Sequence, residues 1–389
     1  MVTASYEPVV DTPEARDLMA LTADLADKEL RPRADEAERA GEFPRELLRL
    51  LGRSGLLGLP YPERYGGAGQ PHAVYLQVLE RLATCWLTVA LSVSVHTLSC
   101  YPTSAFGSVD QQARLLPEMI AGDRLGAYCL SESQSGSDAA ALRTAASRAG
   151  DGWVVNGTNA WIAHAGIADF YAVLVRTAAP KTGGISCLLV PGHAPGVSAA
   201  THEDKMGMRA SPTASVSFDD VYVGAEALIG AEGGGFKIAL SALDSGRLGI
   251  AACATGLATG ALDYASRYAS DRRQFGRPIA DFQGVSFMLA DMATQVEAGR
   301  SLYLAAARRR DAGLPFSRQA AMAKLFCTDM AMQVTTDAVQ VLGGAGYVED
   351  HPVERWMREA KVMQIFEGTN QIQRVVIARS LRRAQTGQL

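Results

Sequence analysis

The chain has 389 residues, 48% hydrophobic and 20% charged, with a formal net charge of −4. This balance excludes a disordered acidic or basic chain, and the interspersed charges leave no footprint for nucleic acid or an anionic membrane surface. At roughly 150 residues per domain, the length predicts two or three domains around an ample core.

The N-terminus, MVTASYEPVVDTPEARD, has early acids and no basic-then-apolar layout, so no secretory signal is expected and the protein reads as cytoplasmic. From there to residue 125 the pattern is helical. PEARDLMALTADLADKELRPRADEAER places apolar residues at three- and four-residue steps, FPRELLRLLGRSGLLG closes a further helix on glycine, and another begins at Val74. The most apolar run noted, WLTVALSVSVHTL from Trp86, is short and broken by Ser, Thr and His, so no membrane span is expected. His96 and Cys100 lie four apart on it and read as a core or interface pair, because two ligands make a poor metal site. The six cysteines are scattered without a CxxC pair and read as reduced, buried thiols; no structural metal is expected.

Residues 126–232 change period. GWVV and TNAWIA are short β-like runs separated by Asn156-Gly157, which predicts a two-residue hairpin. ADFYAVLVR, GGISCLLVP and TASVSFDDVYV continue the strand character. After Gly233–Gly235 the helical period returns and runs to residue 389 in three long alanine-rich stretches, which predicts a bundle packed on several faces. The expected order is a helical domain over 1–125, a β domain over 126–232 and a helical bundle over 233–389. GxSxG, GxxxxGK[ST] and a GxGxxG in a βαβ context are all missing, which argues against a hydrolase elbow, a phosphate loop and a nicotinamide Rossmann unit.

One acid stands out. In QIFEGTNQIQR, Glu367 follows the apolar pair Ile365-Phe366 and precedes Gly368. It reads either as a cap for the next helix or as a base held in a dry pocket.

CLSESQSGSDAAA (129–141) and QVLGGAGYVEDHPVERWMRE (340–359) resemble the two signatures of the acyl-CoA dehydrogenase family. DRRQFGRP, IFEGTNQIQR, PERYGGAG, WIAHA, KMGMRAS and LDSGRLGIA follow the family's order, so the resemblance runs from about residue 12 to 380. It implies an α+β fold with an N-terminal α-helical domain, a middle β-barrel or sandwich domain and a C-terminal four-helix bundle. It also implies FAD, an acyl-CoA thioester dehydrogenated to the trans-2-enoyl product, hydride transfer to flavin N5, and an electron-transfer flavoprotein as acceptor. Glu367 matches the family's base, and burial beside Phe366 is expected to raise its carboxyl above the usual value of about 4.3. In some members the base instead precedes the arginine of an LDxxR segment, where this chain has Gly246. Gly368 and the Glu367 amide N–H are expected to meet the thioester.

For the cofactor, the resemblance implies Tyr128, Cys129, Leu130, Ser131 and Ser137 along the flavin and pyrophosphate, with Ser137 shared with substrate. Trp161, Ile162 and Ala163 are expected to pack against the ring. Arg272, Gln274, Phe275 and Gln283 would reach its adenosine half or pyrophosphate across a subunit interface. Gln340, Gly343, Gly344, Thr369 and Gln371 complete that set, and Asp244 with Arg247 would hold the pantetheine end. Outside the resemblance, Trp161 reads as a buried strand aromatic, Arg272 as a solvated helix charge, Ser131 as a turn residue and Asp244–Arg247 as a plain intrahelical pair. Ala163 departs from the pattern, since the family usually places a flavin-bonding Ser or Thr there; a backbone group, water or His164 is left to substitute. The resemblance further implies a homotetramer built on the C-terminal helices. Two other functions fit the same residues: dehydrogenation of a carrier-protein thioester in a biosynthetic pathway, and flavin binding without dehydrogenase activity.

Overall fold

The computed structural model describes residues 7–179 and 181–385. Its first helices are α1 (Pro13–Leu25), continued through a π-helical turn at Ala26–Leu30 into α2 (Arg31–Ala40), then α3 (Arg45–Arg53), α4 (His72–Ala83), α5 (Leu87–Phe106) and α6 (Val109–Ile120). Local chemistry sets their starts. The Thr12 hydroxyl accepts the Ala15 N–H ahead of Pro13, and Ser108 with Gln111 forms a reciprocal capping box on α6. Helix α3 ends earlier than its leucine pattern predicts: Gly55, at φ +79°, turns the chain, and Leu56, Leu57 and Leu59 enter the core from a loop.

Eight strands follow: β1 (Gly126–Cys129), β2 (Ala145–Ala149), β3 (Gly152–Ala163), β4 (Phe170–Arg176), β5 (Ile185–Pro191), β6 (Val197–Ala199), β7 (Thr213–Val223) and β8 (Leu228–Ile229). They form one sheet in the order β6-β7-β3-β2-β4-β5-β8, with β1 parallel to β4. The hairpin expected at Asn156-Gly157 is not there. Strand β3 runs unbroken through both residues, and the real hairpin turns one step earlier, where Ala149 pairs with Gly152 around Gly150 and Asp151. Asn156-Gly157 instead makes a bulge against β7. Asn156 Nδ2 donates to Asp220 Oδ1 at 2.9 Å, and the Asp220 N–H returns a bond to Asn156 Oδ1 at 2.9 Å. Gly157 sits at φ +146°, and a Cβ there would lie 2.6 Å from Thr144 Cα. The Asn-Gly pair therefore serves a close approach rather than a reversal.

The chain then enters α7 (Gly235–Asp271), a small β9 (Arg273–Gln274) and β10 (Arg277–Pro278) ribbon, α8 (Gln283–Asp311), α9 (Ser317–Leu342), α10 (Val353–Met363) and α11 (Asn370–Gln385). Helix α7 is central, packing against α4, α5, α8 and α9. Its buried alanines, including Ala251, Ala254, Ala258, Ala261 and Ala265, let four neighbours approach at once. By length and composition α7 could cross a membrane, but 94% of its most apolar window is buried inside the protein, as befits a core helix.

Two buried acids tie the layers together. Glu38 on α2 accepts from Trp86 Nε1 (2.8 Å), the Thr88 hydroxyl and Ala210 N (3.1 Å), joining the first helices to α5 and to the segment before β7. Glu80 on α4 accepts from Arg300 on α8 at 2.7 and 3.0 Å and from the Tyr303 hydroxyl. His96 and Cys100 are core residues, as the sequence suggests. His96 Nε2 donates to Met119 O at 2.8 Å and Nδ1 accepts the Gly126 N–H at 3.0 Å, so the ring is neutral, with its pKa pushed down by burial to about 4. Removing the Glu80 carboxylate leaves the Arg300 charge buried without its main partner. Glu80→Ala is therefore expected to lower unfolding free energy by about 3–5 kcal/mol, read as a loss of denaturant midpoint.

Candidate active site

Glu367 lies between α10 and α11. Helix α10 closes with Ile365 N and Phe366 N both donating to Val362 O, and the Asn370 N–H returns to Gln364 O at 3.0 Å. Within this turn Glu367 takes φ +51° and Gly368 φ +86°. A left-handed conformation at a residue with a Cβ costs about 1–3 kcal/mol and persists only where its surroundings hold it. Here Lys324 on α9 supplies that hold. Its Nζ donates to Gly368 O and to Asn370 Oδ1, each at 2.9 Å, while Gln373 Nε2 donates to Gly368 O at 2.8 Å. Glu367 does not cap α11; the Thr369 hydroxyl does so by accepting the Ile372 N–H at 3.2 Å. That removes the capping alternative.

The Glu367 carboxylate turns inward. Its Oε2 is sealed from solvent and has no hydrogen-bond partner among the described residues. Desolvation raises its pKa to about 7, partly offset by the charges of Lys324 and Arg247. The Lys324 ammonium is itself pushed down to about 8 by burial. Oε2 rests against α7 at Gly246, where an added Cβ would lie only 2.1 Å away. Residue 246 must therefore stay bare for Glu367 to occupy this place.

Around this carboxylate the structure brings together several of the sequence-predicted residues. Arg247 is buried on α7 and bonds Asp244, which also accepts from the Ser317 hydroxyl at 2.9 Å. Burial pushes the Asp244 carboxyl up and the Arg247 guanidinium down, each opposed by the other's charge. Tyr128, on β1, is close enough for Glu367 to act on it electrostatically, and its buried hydroxyl has no partner among the described residues. Gly368 and Thr369 belong to the same turn.

Trp161 is 58% exposed at φ +57°, which corrects its reading as a buried strand aromatic. Ser131 is fixed beside it, its carbonyl accepting from Ala160 N at 2.9 Å and Asn159 Nδ2 at 3.1 Å. Cys129, Leu130 and Ile162 are buried in the cores beneath and offer the surface only their main chains. Ala163 pairs with Thr213 at the end of β3. His164 does not take over the missing hydroxyl's place: its ring is buried against Phe43 and Nδ1 donates to Gly126 O at 2.9 Å. Glu132, the acid of the first signature, is structural. It is buried and accepts the N–H groups of Arg143 and Thr144, closing the loop that carries exposed Ser137.

A second group lies elsewhere. Arg272, Gln274, Phe275, Gln283, Gln340, Gly343 and Gly344 are all exposed; Gln371 is exposed too but sits in the first turn of α11, four residues past Glu367. Arg272 follows the end of α7, about 39 Å along that helix from Gly246 at about 1.5 Å per residue. Phe275 is 93% exposed, and neither Gly343 nor Gly344 has a neighbour within 4 Å of an added Cβ.

Two spaces lie along α7. An inner cavity of about 90 Å³ lies among α4, α5 and α7 and reaches Gly246. An outer cleft of about 530 Å³ is lined by Gly233, Lys237, Ser241 and Asp244, among others. They meet where the hydroxyls of Tyr101 (inner) and Ser241 (outer) are 2.6 Å apart. Sequence reasoning missed Lys324, whose one signal is a lone lysine in the apolar AAMAKLFC; the helices near residues 86–104 and 240–256, which it expects to set pocket depth, do line the inner cavity.

Family models match the chain almost end to end: the acyl-CoA dehydrogenase N-terminal domain over residues 12–123, its middle domain over 127–221 and its C-terminal domain over 233–382. The chain belongs to the acyl-CoA dehydrogenase family. An acyl-CoA dehydrogenase of Bacillus subtilis (strain 168) is 43% identical over 373 residues, covering 95% of this chain and 98% of that one. Among solved structures, butyryl-CoA dehydrogenase from Megasphaera elsdenii is 39% identical with a TM-score of 0.94, covering 97% of this chain and all of its own. A chain from work on the electron transferring flavoprotein of Acidaminococcus fermentans is 41% identical with a TM-score of 0.95, again covering 97% and 100%. The fold is that of the family, and acyl-CoA dehydrogenase is the enzyme class.

Ionising Glu367 in this site is unfavourable, and this links its pKa to stability. A carboxyl raised from 4.5 to about 7 costs nothing below the lower value; the penalty grows as pH rises between the two and is complete above the upper. Glu367→Gln is expected to stabilise the protein by about 1–3 kcal/mol at pH 8, with the gain vanishing towards pH 4.5. Melting curves across that range check it.

Proposed function

We propose that the protein dehydrogenates a short acyl-CoA thioester between Cα and Cβ, with Glu367 as the base that removes the α-proton. The observation that carries this reading is a carboxylate with one oxygen sealed and unpartnered among the described residues, its pKa raised by desolvation to about 7, resting on Gly246, which lines a small cavity. An ionised group of ordinary acidity would be too weak a base, and one raised far above neutrality would stay protonated. Within the turn, the Glu367 N–H has no acceptor among the described residues and is free to donate to the thioester oxygen as negative charge develops there. Lys324, by anchoring Gly368 O and Asn370, holds that N–H and the carboxylate in one orientation.

The family implies FAD, and the residues present fit it: exposed Trp161, the unpartnered Tyr128 hydroxyl and the unobstructed Gly343–Gly344 turn. When bound, FAD supplies the acceptor for the hydride that leaves Cβ. Tyr128 to Ser131, Ser137, Trp161 to Ala163 and Thr369 would hold its flavin half. Arg272, Gln274, Phe275, Gln283, Gln340, Gly343 and Gly344 would hold the adenosine half from a second copy of the chain, since Arg272 lies about 39 Å along α7 from Gly246, and Gln371, one turn past Glu367, would complete the cofactor set. This supports a homo-oligomer, which we take to be a tetramer, with an electron-transfer flavoprotein receiving the electrons. Asp244 and Arg247 would hold the pantetheine arm at the outer cleft, where Lys237 offers charge to CoA phosphates.

Anaerobic mixing of the flavin-loaded protein with butyryl-CoA tests the role of Glu367. Glu367→Gln is expected to slow bleaching of the flavin absorbance by about 10²–10⁴-fold while flavin content and thioester binding persist. In the unaltered protein kcat/KM should rise with pH through about 7, as the carboxyl ionises. Bleaching at the unaltered rate by the variant contradicts the assignment.

A further inference from the structure

The motif KMGMRAS (205–211) has no part in the site described so far, yet it touches both sides of it. It forms most of the connector between β6 and β7, and it leaves the sheet as a strap instead of closing a tight hairpin. At its base Lys205 Nζ donates to Ser211 O at 2.8 Å, and the next residue, Pro212, accepts the His164 N–H at 2.9 Å. Thr213 then pairs with Ala163. The base of the strap is therefore tied to the end of β3, the wall on which the flavin would rest.

The tip lies on the helices. Met208 and Ala210 are buried in the helical core, not in the core of the sheet. The Ala210 N–H reaches Glu38 on α2, and Arg358 Nη1 on α10 donates to Met206 O at 2.5 Å. Gly207 passes so close to α10 that an added Cβ would lie 2.8 Å from Glu359 N and 3.0 Å from Arg358 C. Those neighbours are backbone atoms of a helix packed on α7 and α9, so they do not yield as the end of a flexible side chain would. Met208 takes φ +54°, a conformation that a residue with a Cβ keeps only where its surroundings impose it. A close approach and a strained residue, side by side, mark a fixed spacing.

Fixed spacing is what the reaction needs here. The proton leaves Cα and the hydride leaves the neighbouring Cβ, so the base and the flavin wall must face one substrate at a set separation. The two belong to different parts of the fold. Glu367 follows α10 and rests on Gly246 of α7, while Trp161 and Ala163 belong to the sheet. The strap runs from the sheet to α10.

We propose that Gly207 is a positioning residue, and that the strap carrying it is the strut that sets the distance between the flavin wall and the base. This rests on the reading that Glu367 removes the α-proton. Base and thioester both stand on the helices, so they keep their relation when the strut is lengthened, and the sheet with its flavin wall moves away. A side chain at 207 thus separates the two halves of the reaction: proton removal persists and hydride transfer slows.

The test takes two readings on the flavin-loaded protein and Gly207→Ala with butyryl-CoA, without oxygen. Flavin bleaching reports hydride transfer. Loss of α-deuterium to water from the 2,2-dideuterated thioester reports the base alone. The strut predicts bleaching slowed by about 10–100-fold at saturating thioester, with KM little changed and deuterium loss within about threefold of the unaltered protein. Arg358→Gln, which removes the bond to Met206 O and leaves Gly207 bare, should act in the same direction by a smaller factor, and it carries the test if Gly207→Ala does not fold. Amide hydrogen exchange reads the strut without turnover. In Gly207→Ala the His164 and Ala210 N–H groups should exchange faster, while those of Ile365 and Phe366 keep their protection. Bleaching and deuterium loss that fall together, or bleaching at the unaltered rate, overturn the inference and leave the role of Glu367 standing. An unaltered protein that neither bleaches nor releases deuterium overturns both.

Discussion

Everything at this site depends on one contact: the Glu367 carboxylate resting against the bare backbone of Gly246. A carboxylate in water is a weak base, and a carboxylate in a protein interior resists ionising. The contact with α7 resolves that conflict by sealing one oxygen from solvent while leaving Arg247 and Lys324 near enough to limit the rise in pKa. A β-carbon at residue 246 would occupy the same volume. Base position and helix sequence are thus a single steric choice, and the α4, α5, α8 and α9 packing that fixes α7 serves the chemistry as well as stability.

The turn that presents the acid is held from beneath. Lys324 reaches from α9 to the carbonyl of Gly368 and the side chain of Asn370, and a buried ammonium needs those acceptors as much as the turn needs the donor. Strain at Glu367 is accordingly supported by the bundle, not by the loop. In the sheet, Glu132 locks the loop after β1, and the Asn156–Asp220 pair holds the bulge in β3, the strand that carries exposed Trp161.

Much of this was legible in the sequence, for identifiable reasons. Period and turn chemistry reveal helix, sheet and helix in order because α7, α8 and α9 are long and strongly patterned. Glu367 and the bare Gly246 are visible because they fall in contiguous motifs. What failed shares one cause, dependence on partners remote in sequence. Asn156-Gly157 has the composition of a reversal, and only Asp220 and Thr144 make it a bulge. Glu132 looks like part of a catalytic signature until Thr144 and Arg143 are seen bonding to it.

The central claim is that Glu367 is a buried carboxyl that titrates near neutrality. The most direct measurement is an infrared difference titration of the unaltered protein against Glu367→Gln between pH 4 and 9, following the protonated carboxyl band. The account predicts one band, lost in the variant, that fades with a midpoint near 7. A Glu367 carboxyl already ionised at pH 5, or still protonated at pH 9, would contradict it.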